Sequence, residues 1–394
     1  MALARLLAAF ALFSPAAMAA EQPGTVFHVK ASDLPAPFAT PAVANSSQAI
    51  ARPKGTMPLV PKGFAISVFA SGLSNPRWMA LAPNGDVFLA EPDADKITLL
   101  HGGKASSFAA GFNHPHGLAF HDGALYVGDL IAVWRLAYGD GALRSGARTR
   151  VTKDGFGPLG GHSTRDIAFD REGSLYVAIG SMSNIDEEAA PRASVQKVDA
   201  KGHLSTFAGG TRNPVGIVLY PGTDDLYVTV NERDGYGDGL VPDYLTRIRK
   251  GDFYGWPYAY SGPHADPNFG AKRPDLVAAT KTPDVLFQSH SAPLGLVFYE
   301  GKQFPADYEG DAFVSLHGSW NSGKPTGYKV VRVKFAKGRP VGEYENFVTG
   351  FWDGSTSPAR VWGRPAGLAI AKDGSLLIAD DVGKVVWRVA YGGK

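Results

Sequence analysis

Histidines and arginines recur at one kind of place in this chain, beside a turn residue just ahead of a short apolar stretch. Asn75 and Arg77; Asn113, His114 and His116; His162 and Arg165; Arg212 and Asn213; His290 and Ser291; and Arg364 all stand there. A turn alone needs only Gly, Pro, Asn or Ser. A neutral imidazole can take a proton near neutrality, and a guanidinium pairs with carboxylates or developing negative charge. Basic groups at so many equivalent places therefore point to one pocket that takes an anionic ligand, with His162 and Arg212 foremost. A second chemistry is offered by Asn231-Glu232-Arg233-Asp234, which runs into a Gly-rich loop, 235–239, with Asp243 beyond it. Oxygen-rich irregular loops suit a hard cation such as Ca²⁺, and equally serve as solvated turns.

These residues are positioned by a repeat. Six segments begin at Asn75, His114, Ser163, Asn213, Ala292 and Arg364. Each reads as a turn residue, an apolar stretch, a Gly-containing turn and a second apolar stretch. Asn84-Gly85, Asp122-Gly123 and Asp373-Gly374 are hairpin turns between β-branched and aromatic residues. Allowing for insertions, the spacing matches the roughly 40–50 residues of a four-stranded propeller blade. Helical spacing of apolar residues is nearly absent over 62–391. The expected fold is all-β, a six-bladed β-propeller, in which a C-terminal strand from Lys384 to Val389 completes a blade with one near Phe64 to Phe69. In such a ring the loops ahead of each first strand, and those leaving each second strand, open near the axis on one face. Loops at 155–161, 261–275 and 351–362 are expected at that mouth.

Composition narrows the field. The balance of 39 Lys+Arg against 37 Asp+Glu, without a basic block, argues against a nucleic-acid binder. With no cysteine, disulfides, Fe–S clusters, thiolate zinc, attached c-type haem and a cysteine nucleophile are all excluded. P-loop, GxGxxG, GxSxG and HExxH motifs are missing. Residues 1–20 combine Arg5, an apolar run from Leu6 to Phe13 and Ala17-Met18-Ala19, the parts of a secretory signal. Cleavage is expected near Ala19 or Ala20, giving an exported protein, periplasmic in a Gram-negative host, with no integral membrane segment afterwards. Residues 21–61 hold seven prolines and no apolar period, so they are expected to drape over a propeller domain spanning 62–394.

The segments GGHSTRDIAF from Gly160, GTRNPVGI from Gly210, NERDGYGDG from Asn231, DYLTRIRKGDFYGWPYAY from Asp243 and LHGSWNSGKPTGY from Leu316 follow in this order. Together they resemble the soluble PQQ-dependent sugar dehydrogenases, most closely the sorbosone dehydrogenase branch, from about Pro61 to Tyr391. The resemblance implies His162 as the base for the substrate hydroxyl and Arg212 as the partner of the developing quinone oxyanion. It implies Asn213 as a PQQ contact, with Arg364, His317 and Lys324 matching or replacing the basic residues on its carboxylates. Arg165, Asn113 and His114 join the cofactor set. It implies Ca²⁺ held by backbone oxygens of Glu232, Arg233 and Asp234, with Asp243 supporting the loop. Glucose-oxidising relatives carry Lys where His317 aligns and Arg where Trp362 aligns. The implied activity is oxidation of an aldose or sugar aldehyde, with an external quinone or cytochrome as electron acceptor. The alternatives are a lactonase-type hydrolase and a non-catalytic ligand-binding propeller.

Overall fold

The computed structural model describes residues 22–393; the signal segment read at 1–20 lies outside the described residues. Six antiparallel sheets form a ring of blades, as the repeat predicts. Blade one contains Trp78–Leu81, Val87–Glu91, Lys96–His101 and Lys104–Ala110, and blade two Leu118–His121, Ala124–Gly128, Val133–Ala137 and Arg148–Arg150. Blade three contains Ile167–Phe169, Leu175–Ile179, Ser194–Val198 and Leu204–Gly209, and blade four Asn213–Leu219, Leu226–Asn231, Tyr244–Ile248 and Val285–Leu286. Blade five contains Pro293–Phe298, Ala312–Leu316, Lys329–Ala336 and Arg339–Val348; blade six contains Pro365–Ile370, Leu376–Asp380 and Val385–Tyr391. Phe64–Ser71 supplies the fourth strand of blade six, running antiparallel to Val385–Tyr391, so the two ends of the repeat region lock the ring.

Second strands such as Val87–Glu91, Leu175–Ile179 and Leu376–Asp380 are buried along their whole length. A neighbouring blade covers each face, which is why they read as continuous apolar runs rather than alternating ones. At the axis the repeat places Gly117, Gly216, Gly295 and Gly367 in equivalent positions. A Cβ on any of them would fall inside contact distance of the next blade's main-chain carbonyl, that of Arg165, Leu294, Ala366 or Arg77 respectively. The inner strands therefore approach one another more closely than any side chain would allow.

Blade four departs from the repeat. Between its third and fourth strands lie the short hairpin Ala259–Tyr260/His264–Ala265 and the six-residue α-helix Pro274–Ala279. Residues 22–61 run along the outside and over the rim. Val26–Phe27 adds a fifth strand to blade five, and Gln48–Ala49 pairs in parallel with Arg360–Val361. Between them, Asn45 donates from its main chain to the Trp320 carbonyl and from its side chain to the carbonyls of Ser322 and Thr356.

Candidate functional site

At one end of the axis the lead-in loops of blades three to six and the second-strand exits of blades three to five, with Arg77 of blade one, surround a cavity of about 530 Å³. His162, Arg212, Asn213, His317, Arg364, Glu232, Asp234 and Asp243 all line it. Groups far apart in sequence thus meet at one mouth, because lead-ins to first strands and exits from second strands open on the same face of the ring.

His162 and Arg212 are joined through a single residue. The Ser181 carbonyl accepts from both the main-chain N–H (3.0 Å) and Nδ1 (2.9 Å) of His162. The Ser181 N–H donates to the carbonyl of Arg212 at 2.8 Å. A proton on Nδ1 leaves Nε2 as the lone pair at the cavity, the form a general base needs. Burial, and then the nearby Arg212 guanidinium, lower the His162 pKa to about 4, so the ring is neutral at physiological pH. Gly180, on the strand behind, admits this packing: a Cβ there would run into Asn213 Oδ1 and come within 2.6 Å of the His162 Cβ.

Arg212 is bonded on every nitrogen. Nε donates to the Asn184 carbonyl (2.9 Å), and Nη2 to Asn184 Oδ1 (2.9 Å) and Asp234 Oδ2 (3.0 Å). Nη1 donates to the Glu232 carbonyl (2.6 Å) and, at a long 3.4 Å, to that of Asn231. The last is the bond a ligand oxygen would most easily replace. Beside it, Asp243 caps two loops, accepting from the N–H groups of Glu232 and Ala292, both at 2.8 Å. Burial raises its pKa to about 8 despite those bonds, with Asp234 and Glu232 adding repulsion.

This wall is where a cation would sit. Glu232 Oε1 is buried without a partner, beside Asp234, which pairs with Arg212, and the raised carboxyl of Asp243. Among the described residues, however, no three His, Asp or Glu side chains converge closely enough to hold a metal by themselves. A hard cation here would complete its shell from loop carbonyls and from oxygens of the ligand.

The opposite wall is a second network. Arg77 Nη1 lies 2.5 Å from Asp381 Oδ2, and His317 Nε2 lies 2.9 Å from the same oxygen. Burial alone would raise the Asp381 pKa, but His317 and Arg77 more than offset it and hold the carboxyl well below its usual range. Burial and the neighbouring Arg364 lower His317 to about 4, so it is a neutral ring donating Nε2–H to an ionised Asp381. Arg364 donates to the carbonyls of His317 (2.9 Å) and Gly318 (2.8 Å) and pairs with no carboxylate among the described residues. Of the three cavity guanidiniums, it is the one whose charge is open to an anion. His290 is already satisfied: Nε2 donates to the Gly237 carbonyl and Nδ1 accepts from Asn321.

Five residues expected at the ligand or metal do not line the cavity. Arg165 is 1% exposed and turns inward, its Nη1 donating to the carbonyls of His162 and Thr164. It stiffens the loop that presents His162. The Arg233 side chain is wholly buried between Glu232 and Asp266, at 3.1 and 2.7 Å, and is committed to those carboxylates; the expectation placed its main-chain oxygen, not this side chain, at the cation. Lys324 is exposed on the rim. Asn113 and His114 are tied through their main-chain N–H groups to Asp129 and Asp95. Of the loops expected at the mouth, Gly161 lines the cavity, whereas nothing from 261–275 or 351–362 does. Sequence reasoning passed over Asn184, Asp381 and Asn321, because exits from second strands follow no repeated pattern. It also passed over Trp320, which is half exposed at the cavity edge.

A family model described as TrAA12-like matches residues 58–238 and 266–391. An uncharacterized protein of Borreliella burgdorferi is 28% identical over 348 residues, covering 84% of this chain and 90% of that protein. The holo form of the pyranose dehydrogenase PQQ domain from Coprinopsis cinerea is 19% identical, with a TM-score of 0.73 over 88% of this chain and 100% of that one. The calcium structure of a Trichoderma reesei carbohydrate-active enzyme of family AA12 is 20% identical, with a TM-score of 0.71 over 85% of this chain and 97% of that one. The two structural likenesses show the shared propeller fold.

Proposed function

We propose that this chain, which belongs to the TrAA12-like family, is an exported PQQ-dependent dehydrogenase that oxidises an aldose or a sorbosone-like sugar aldehyde and passes electrons to an external acceptor. The observation that carries the reading is a neutral imidazole with a free Nε2 in the same mouth as three guanidiniums, Arg77, Arg212 and Arg364. PQQ bears three carboxylates, and Arg364, which makes no ion pair among the described residues, is suited to one of them. Arg77 and Asn213 stand ready for further polar contacts. When bound, PQQ supplies the electrophilic centre that takes hydride.

The chain supplies the rest. His162 Nε2 accepts the proton of the substrate hydroxyl, and the Ser181 carbonyl holds the ring in the required tautomer. Arg212 keeps positive charge where negative charge develops, at a place where little water competes. Calcium belongs to the reading through the unpartnered Glu232 oxygen, and it would act beside Arg212. The named relatives, a pyranose dehydrogenase PQQ domain and an AA12 enzyme with calcium, support the same reading.

Reconstitution tests it. Purified protein titrated with PQQ, with and without Ca²⁺, is expected to shift the PQQ absorption and then to reduce a dye when given sugars. His162→Ala should lose turnover while retaining PQQ, whereas Arg364→Ala should mainly weaken PQQ retention. No spectral change and no dye reduction across an aldose and sugar-aldehyde panel would overturn the assignment.

A further inference from the structure

We propose that Asn184 is the positioning residue for Arg212, and that Trp256, within the Tyr254–Pro257 run, fixes Asn184. Asn184 sits on the exit of blade three, facing the lead-in of blade four. Its carbonyl accepts from Arg212 Nε and from the Trp256 indole N–H, at 2.9 and 3.0 Å. Its side-chain oxygen accepts from Arg212 Nη2 and from the Asp234 N–H, both at 2.9 Å, and its Nδ2 donates to the Asp234 carbonyl at 3.0 Å. One residue therefore binds two of the three guanidinium nitrogens and both main-chain groups of the aspartate paired with them. A planar guanidinium held at two nitrogens has its plane set. The remaining contacts come from 231–234, the loop that Asn184 itself ties down.

Trp256 does not reach the cavity. It is 3% exposed, and its main-chain N–H donates at 3.1 Å to Gly210, two residues ahead of Arg212. The conspicuous Tyr-Gly-Trp-Pro run, which no step of the chemistry uses, thereby acquires a role: it braces from behind the loop that aims Arg212.

His162 reports on this brace. The charged groups around it are Arg212, Arg165 and Arg192, and of these Arg212 lowers its proton affinity most. Burial, the larger cause, and the other two guanidiniums stay in place, so loosening Arg212 moves the imidazole part of the way back toward its ordinary value.

The test is a ¹³C NMR titration of the His162 imidazole in the full chain, read in wild type, Asn184→Ala and Trp256→Phe. The last removes the indole donor but keeps an aromatic ring. The wild-type ring is expected to stay neutral down to about pH 4, and both variants are expected to titrate at distinctly higher pH. Melting curves establish that each variant is folded, and Asn184→Ser replaces Asn184→Ala if the latter is not. An unmoved His162 titration in folded variants overturns the proposal whatever happens to turnover; movement in the Asn184 variant alone removes Trp256 from it. The kinetic arm rests on the dehydrogenase reading: kcat should fall about 10²-fold with KM nearly unchanged. A wild-type chain without turnover would sink that reading and leave the titration to judge the brace.

Discussion

At the scale of single residues, the site is built from side chains whose charge is set by what they touch. His162 titrates at about 4 in the folded chain against an ordinary 6.5. Between those values the unfolded chain binds the extra proton, so this group's contribution to stability rises with pH across that window and is lost as pH falls through it. The acid limb of kcat/KM should accordingly lie near pH 4, with no inflection near 6.5; an inflection at 6.5 in the pH profile would remove His162 as the base. The two other cavity arginines show why residue type alone misleads. Arg212 and Arg77 line the cavity yet are paired with Asp234 and Asp381, while Arg165 and Arg233, equally prominent in the sequence, point into the protein. A guanidinium's direction depends on which carbonyls and carboxylates the fold brings within reach, and sequence spacing carries no trace of them.

At the scale of elements, what was legible was the hairpin. Turn dipeptides, apolar runs and the recurring lead-in specified six blades, and the lead-in brought His162, Arg212, Asn213 and Arg364 to the cavity, though not Asn113, His114 or Arg165. The exits were legible only where a motif marked them, as at Glu232, Asp234, Asp243 and His317; Asn184, Asp381 and Asn321 carry no such mark. Gly180 shows how tightly strand and loop are fitted. Gly180→Ala should displace Asn213 and His162, costing about 1–3 kcal/mol by overpacking and most of the activity while leaving the blades intact. Thermal melting and circular dichroism beside dye-reduction assays check this, and an active, equally stable variant would show that the loop has slack.

At the scale of the whole molecule, stability depends on closure. Phe64, on the strand that completes blade six, meets Phe304, Tyr308, Phe347 and Tyr391 at ring-centroid distances of 4.8–5.4 Å. Phe304, Tyr308 and Phe347 belong to blade five and Tyr391 to blade six, so one side chain ties the start of the propeller to its end. Phe64→Ala should lower the melting temperature markedly, by about 3 kcal/mol at most because the ring is only partly buried, without altering ligand affinity below the transition. A variant that melts like wild type would mean that the sheet hydrogen bonds alone hold the closure.

The strap formed by residues 22–61 has a consequence in time. Asn45 rests on Trp320, Ser322 and Thr356, so a piece synthesised early must wait for partners made nearly three hundred residues afterwards. Until that docking occurs the rim beside Trp320 lacks these three bonds. The full set of these bonds is therefore open only to a polypeptide made at least as far as Thr356.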